Sequence, residues 1–282
     1  MYDRILLALD DSDCAATARD VALDLAERDG ATLHAVSVVE VYHLSTVEER
    51  TARERATDER LATLADRAAE AGVDCETERR AGFAEEELLG ALAETDADLV
   101  VMGTHGRSGV QQFILGSVAA RVSRRSSVPV LTTPADGEWA VETVVLPDDG
   151  SEHAAVATDH ALALATTYGA RLHVLSVVDD GSLGYDVRST LVVEELEREA
   201  TATVDATVEE AEAAGVEATG SVAEDRPHRA ILDAVDAHDA DLVVMGTHGR
   251  SGVSRIVLGS VAEKVVRASP VPVLTVPLED RP

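Results

Sequence analysis

Short runs of Val, Leu and Ile alternate along the whole chain with longer stretches whose apolar residues recur at helical spacing. The runs Arg4–Leu9, Thr32–Val39, Val73–Glu78, Leu99–Gly103 and Val128–Thr132 read as strands. Between and after them, stretches of about Ser12–Arg28, Val47–Ala71, Ala84–Glu94 and Ser117–Arg125 read as helices; in the first, Val21, Leu23 and Leu25 stand among alanines. The strands are continuously apolar rather than alternating, so both of their faces must be covered. Strand–helix alternation with doubly buried strands predicts an α/β fold, a parallel sheet with helices on both faces. The same set recurs further on and closes with a strand at Val271–Val276. Ser12 and Ser151 stand where each first helix begins and are placed to cap it.

That recurrence is a tandem repeat. The fifteen residues Asp96–Val110 reappear unchanged as Asp239–Val253, 143 positions later. Arg4–Ser12 answers more loosely to Thr143–Ser151, and Ala31–Val39 to Ala170–Val178, both at an offset of 139, so the second half carries about four extra residues in a connection between its second and fourth strands. Pro134, Asp136, Gly137 and Glu138 break the pattern near Ala135–Ala140. Two domains are therefore expected, 1–138 and 139–282, each long enough to bury its own core.

Charge narrows the function. With Lys+Arg 24 against Asp+Glu 53 the chain carries a net −29, and Lys264 is its only lysine. Such a surface repels DNA, RNA and anionic membrane. Clear periodicity with 45% hydrophobic residues rules out a disordered acidic chain. The acid excess fits a folded protein adapted to concentrated salt, where self-repulsion is screened, and points to a halophilic source. Met1-Tyr2-Asp3-Arg4 leads straight into the first strand, and no apolar run reaches the ~20 residues of a spanning helix, so the expected location is the cytoplasm. Cys14 and Cys75 lack metal or redox spacing, and each is expected to be an ordinary side chain.

The candidate chemistry lies where the repeat is strictest. Each half carries Gly-x2-Gly-x9-Gly-Ser directly after an apolar strand: Gly103, Gly106, Gly116 and Ser117, then Gly246, Gly249, Gly259 and Ser260. A glycine loop opening a helix lets backbone N–H groups approach an anion, as a phosphate site requires, although glycines after a strand also serve plain turns. Asp10 and Asp149 end the first strands and have a second reading as turn residues ahead of Ser12 and Ser151. Arg107 and Arg250 either clamp phosphate oxygens or pair with surface carboxylates. His105 and His248 have no partner fixed beside them, which favours a loop-shaping role over acid–base catalysis. Arg121, Arg124, Arg125, Lys264 and Arg267 suit the C-terminal dipoles of the last helices. No P-loop, Rossmann dinucleotide motif, nucleophile elbow or zinc-protease motif is present, and no catalytic or metal-binding residue is assigned.

These strand-ending acids and the doubled glycine motif resemble the universal stress protein family in its ATP-binding branch, over essentially the whole chain as two tandem domains. The resemblance implies Rossmann-like five-stranded parallel sheets of order 3-2-1-4-5, with ATP, with or without Mg, across the carboxyl ends of strands one and four. Carried over by position, Asp10 and Asp149 face the nucleoside and the main chain at Val39 and Val178 meets adenine. The glycines, Ser117 and Ser260 hold ribose and phosphates, and Val118 and Val261 offer helix-start N–H groups. An added carboxylate at Asp11 or Asp148 makes the two sites unequal.

The expected function is an ATP-binding stress-response or regulatory protein with one adenine-nucleotide site per half and unidentified protein partners. A slow ATPase or nucleotidyl-transferring enzyme and a ligand-free scaffold of the same fold are the alternatives. Val128–Thr132 and Val271–Thr275 are apolar yet contain Pro129 and Pro272, which suits sheet edges. An intrachain pseudo-dimer through these last strands is expected, with a homodimer of tandem chains as a further assembly.

Overall fold

A computed structural model describes the chain except for residues 44–45, 106–114, 136–138, 180–189, 250–257 and 279–282. The chain divides into two compact units, Met1–Trp139 and Ala140–Pro282. The first runs β1 (Arg4–Ala8), α1 (Asp13–Asp29), β2 (Thr32–Val39), a 3-10 turn (Val41–His43), α2 (Val47–Ala71), β3 (Cys75–Ala81), α3 (Ala84–Thr95), β4 (Leu99–Gly103), α4 (Ser117–Arg125) and β5 (Val130–Thr133). The second runs β6 (Thr143–Pro147), α5 (Glu152–Tyr168), β7 (Arg171–Val178), α6 (Thr190–Ala213), β8 (Ala218–Glu224), α7 (Pro227–Ala237), β9 (Leu242–Gly246), α8 (Ser260–Ala268) and β10 (Val273–Val276). Strand order is β3-β2-β1-β4-β5 in the first unit and β8-β7-β6-β9-β10 in the second, with parallel pairing within each. The α/β expectation and the strand order are borne out.

Burial explains the apolar runs. Ile5, Leu6 and Leu7 of β1 and Leu99, Val100 and Val101 of β4 are fully shielded. On one face Leu6, Val36, Val100 and Met102 pack with Leu88, Ala91 and Leu92 of α3 and Ala119 and Val122 of α4. In α1, Ala18, Val21, Ala22 and Leu25 are buried, and the helix packs along β1 and β4. Ser12 and Ser151 cap α1 and α5, each hydroxyl oxygen accepting from an amide three residues on at 3.2 Å. The invariant segment also has a structural duty ahead of its loop. The Asp98 carboxylate accepts from the amides of Asp3 and Arg4 at 2.8 and 3.1 Å, and Asp241 does the same for Glu142 and Thr143 at 2.8 and 2.9 Å, fixing where β1 and β6 begin.

Three strands start later than the sequence suggests, the last of them β10, which begins at Val273 rather than Val271 after a turn in which the Ser269 hydroxyl bonds both the amide and the carbonyl of Val271. Gly72 ends α2 in the left-handed region at φ 73°, and the amide of Val73 is spent on the Ala68 carbonyl at 2.8 Å, so β3 begins at Cys75 instead. Near β5, the Ser126 hydroxyl accepts from the Val128 amide at 3.2 Å and donates to the Val128 carbonyl at 2.7 Å. That turn, followed by Pro129, delays the strand to Val130. No helix among the described residues is long and apolar enough to cross a membrane.

One pair of equivalent histidines behaves differently in the two units. In the first, His34 of β2 lies 3.3 Å from each of Glu76 and Glu78 of β3. In the second, His173 meets the hydroxyls of Thr219 and Ser221 at 3.0 and 2.9 Å and stacks on the His238 ring at 3.6 Å. Burial, reinforced by the neighbouring His238, pushes the His173 pKa down to about 4 from an ordinary 6.5. The folded state therefore refuses a proton that the unfolded state accepts. This stabilisation is fully present above about pH 6.5 and is lost as pH falls toward about 4. We expect His173→Gln, which keeps one hydrogen bond without titrating, to remove about 1–2 kcal/mol of the second unit's acid sensitivity, solvent screening allowed for. Denaturant melts of both proteins at pH values of about 7 and 5 check this; equal losses in both would overturn it.

Candidate functional site

In the first unit the carboxyl ends of β1, β2 and β4 and the start of α4 enclose a cavity of about 400 Å³. From β1 the chain moves outward through β2 and β3 and then returns to β4 on the other side, so the connections after β1 and β4 diverge. Open α/β sheets bind ligands at such a reversal. Leu9 and Asp10 line the cavity from β1, Val36 to Glu40 from β2, and Gly103 to His105 from β4. Gly116, Ser117 and Val118 line it from α4.

Asp10 serves turn and cavity together. Its Oδ1 accepts from the Ser12 amide at 3.0 Å and from the Ser12 hydroxyl at 2.5 Å. Asp149 repeats the amide contact with Ser151 at 3.0 Å. Val39 also lines the cavity, while its carbonyl accepts from the Gly82 amide at 3.2 Å; its counterpart Val178 is buried at the end of β7.

The glycines divide by role. A Cβ on Gly103 would stand 2.6 Å from the Cys14 Cβ, and one on Gly246 would stand 2.8 Å from the His153 carbonyl oxygen. Both glycines therefore admit the first turn of α1 or α5 against the strand end, a packing requirement that sequence reasoning had assigned to phosphate approach. Gly116 and Gly259 close the loop: their amides donate to the Thr104 and Thr247 carbonyls at 2.8 Å each. Neither α4 nor α8 has a side-chain cap. The amides of the first turn at Ser117, Val118 and Ala119, and at Ser260, Val261 and Ala262, lie ahead of the first intrahelical bonds, which makes each helix start a donor cluster. Gly249 is exposed, and a side chain there would run into the Asp149 carboxylate. Gly106, Arg107 and Arg250 lie outside the described residues.

His105 also lines the cavity. The single proton of the Thr104 hydroxyl goes to the Thr133 carbonyl at 3.1 Å, so the contact of that oxygen with His105 Nδ1 at 3.0 Å places the proton on Nδ1. Nε2 is then a lone-pair acceptor, and it is buried with no hydrogen-bond partner among the described residues. Burial lowers the His105 pKa, so the ring is neutral near pH 7. In the second unit the rings of His248 and His153 stand 5.1 Å apart, and His153 is held below its ordinary pKa by burial and by His248.

Among the lining residues that sequence reasoning missed are both of the basic ones. Arg53 and Arg60 reach the cavity from α2, with Thr57 between them on the same helical face. Arg60 donates to the Ser37 hydroxyl at 3.1 Å, and Arg53 lies 3.8 Å from the Asp11 carboxylate. Their spacing is visible in the sequence, but Arg50, Arg55 and Arg67 on the same helix give no contrast to mark them. Among the described residues no group of three or more His, Cys, Asp or Glu is placed to hold a metal ion.

The model of the universal stress protein family matches residues 1–134 and again 140–277. The chain belongs to the universal stress protein family. A universal stress protein of Methanocaldococcus jannaschii is 34% identical over 144 residues, covering 50% of this chain and 85% of its own. One from Thermus aquaticus is 38% identical over 144 residues, covering 48% of this chain and 98% of its own. Among solved structures, a universal stress protein from Archaeoglobus fulgidus matches with a TM-score of 0.73 and 25% identity, covering 99% of this chain and 98% of that one. The single-domain relatives span half of this universal stress protein, and the tandem structure spans both halves.

Alignment of the two halves exposes a substitution in the second. Leu9 and Leu64, both buried, correspond to Asp148 and Thr207. Asp148 is only 7% exposed; its Oδ2 accepts from the Thr207 hydroxyl at 2.7 Å and its Oδ1 from the Gly150 amide at 2.8 Å.

Proposed function

We propose that this universal stress protein binds ATP across the carboxyl ends of its first and fourth strands and acts as a nucleotide-responsive regulator rather than a dedicated catalyst. The observation that carries the reading is the cavity of about 400 Å³ at the strand-order reversal, bordered by the uncapped start of α4. Its volume suits a nucleotide-sized ligand, and the free amides at Ser117, Val118 and Ala119 suit phosphate oxygens. Asp10 is placed to meet ribose hydroxyls with the carboxylate oxygen that the turn does not use. The Nε2 lone pair of His105 supplies an acceptor for a ligand hydroxyl or amine. The second half repeats the backbone frame with Asp149, Val178, Gly246, Gly259, Ser260 and Val261. A binding role is favoured over turnover because the ring partner of His105 is a threonine hydroxyl rather than a carboxylate.

Titration of the purified chain with Mg-ATP in about 1 M KCl, where charge repulsion between protein and nucleotide is screened, should give saturable heat. No heat, together with no displacement of a fluorescent ATP analogue by millimolar ATP, would overturn the reading.

A further inference from the structure

We propose that the two halves are unlike sites: the first takes a nucleoside triphosphate, and the second excludes polyphosphates, so that one chain binds one ATP. The inference rests on the adenine-nucleotide reading and adds to it which half is used and why.

Charge along the wall is the first observation. The first cavity is lined by two acids, Asp10 and Glu40, and two arginines, Arg53 and Arg60. The corresponding residues of the second half are Asp149, Asp179, Leu196 and Thr203, and a third acid, Asp148, stands in place of the lining residue Leu9. Counting Asp11 beside Arg53, three carboxylates stand with two arginines in the first half; at the corresponding described positions of the second, Asp11 is replaced by Gly150 and three carboxylates stand with no arginine, facing a ligand that is itself an anion. At such separations in a half-desolvated site, like charges repel strongly.

The second observation is that Asp148 is built in rather than incidental. It is buried, and its partners Thr207 and Gly150 are both neutral donors, so its charge is satisfied by hydrogen bonds without being cancelled. Thr207 is the α6 counterpart of Leu64, so an apolar pair in the first half has become a matched polar pair in the second. A carboxylate held this way cannot swing out of the site without breaking its hydrogen bond to Thr207. Among the described residues, cations outside this wall that could offset it include Arg226 and Arg229 at the start of α7, beside Pro227, the counterpart of the lining residue Ala84.

The test counts sites on the whole chain. Calorimetric titration with Mg-ATP in molar KCl should give one nucleotide per chain. Gly116→Val, which places bulk at the start of α4, should abolish that binding. Should that variant fail to fold, Arg60→Thr, which writes in the second half's residue, should weaken ATP by about ten-fold while adenosine, which lacks phosphates, changes by less than about two-fold. Two ATP per chain, or one ATP that persists unweakened in the Gly116→Val or Arg60→Thr protein, would overturn the inference while leaving nucleotide binding standing. Absence of all ATP binding would sink the functional reading itself, and this inference with it.

Discussion

Thr207→Val is expected to destabilise the second half by about 2–3 kcal/mol, although it removes a single hydroxyl and conserves shape. Its partner is the cause. The Asp148 carboxylate, 7% exposed, loses its 2.7 Å donor and keeps only the Gly150 amide. Stranding a buried charge costs far more than the net worth of the bond. The double variant Asp148→Leu with Thr207→Leu reinstates the apolar pair found at Leu9 and Leu64, and should return stability to within about 1 kcal/mol of the parent. A double-mutant cycle by denaturant unfolding measures the coupling, and purely additive single losses would show that the pair is not the unit described here.

The second large effect concerns the strand-end glycines, where the two halves are expected to respond differently to rescue. Gly103→Ala and Gly246→Ala should each cost about 2–3 kcal/mol, because interiors packed this closely do not absorb an added carbon. At Gly103 the closest obstacle is the Cys14 Cβ at 2.6 Å, with backbone atoms at 3.0 and 3.1 Å behind it. Adding Cys14→Gly should therefore recover much of the loss, once the cost of glycine in α1 is subtracted by a cycle. At Gly246 the obstacles at 2.8 and 2.9 Å include the carbonyl oxygen and carbon of His153. No side-chain truncation removes those atoms. His153→Gly should recover little, and equal rescue in both halves would mean that helix and strand separate more freely than their packing implies.

Much of the fold was legible because its strands are buried on both sides. β2, β4, α2 and α4 have the limits that their apolar runs and flanking residues suggest. β3 was read poorly for a physical reason. Its sequence, Cys-Glu-Thr-Glu-Arg-Arg-Ala, lies at a sheet edge with mostly exposed side chains, so it carries no apolar signal past Cys75. The site was legible as a frame and illegible as a wall. The glycine spacing located the loop and the start of α4, whereas Arg53 and Arg60 reach the cavity only because α2 folds back over β2. Asp148 was visible as an extra carboxylate, but Thr207 lies 59 residues away and nothing local links them. Even the fifteen-residue identity had two origins: Asp98 and Asp241 are tied to strand starts, which has nothing to do with a ligand.

The uncapped start of α4 has a consequence for how the protein would work in a crowded ionic medium. Amide donors fixed by a helix are oriented before any ligand arrives, so engaging them costs none of the ordering that a long flexible side chain demands. Their reach is a hydrogen bond rather than a Debye length, and dissolved ions that weaken charge pairing between exposed groups leave such short contacts nearly untouched. In the proposed ATP site, the phosphate contacts made by these amides would therefore be the part that dissolved salt weakens least, and the arginine contacts the part it weakens most.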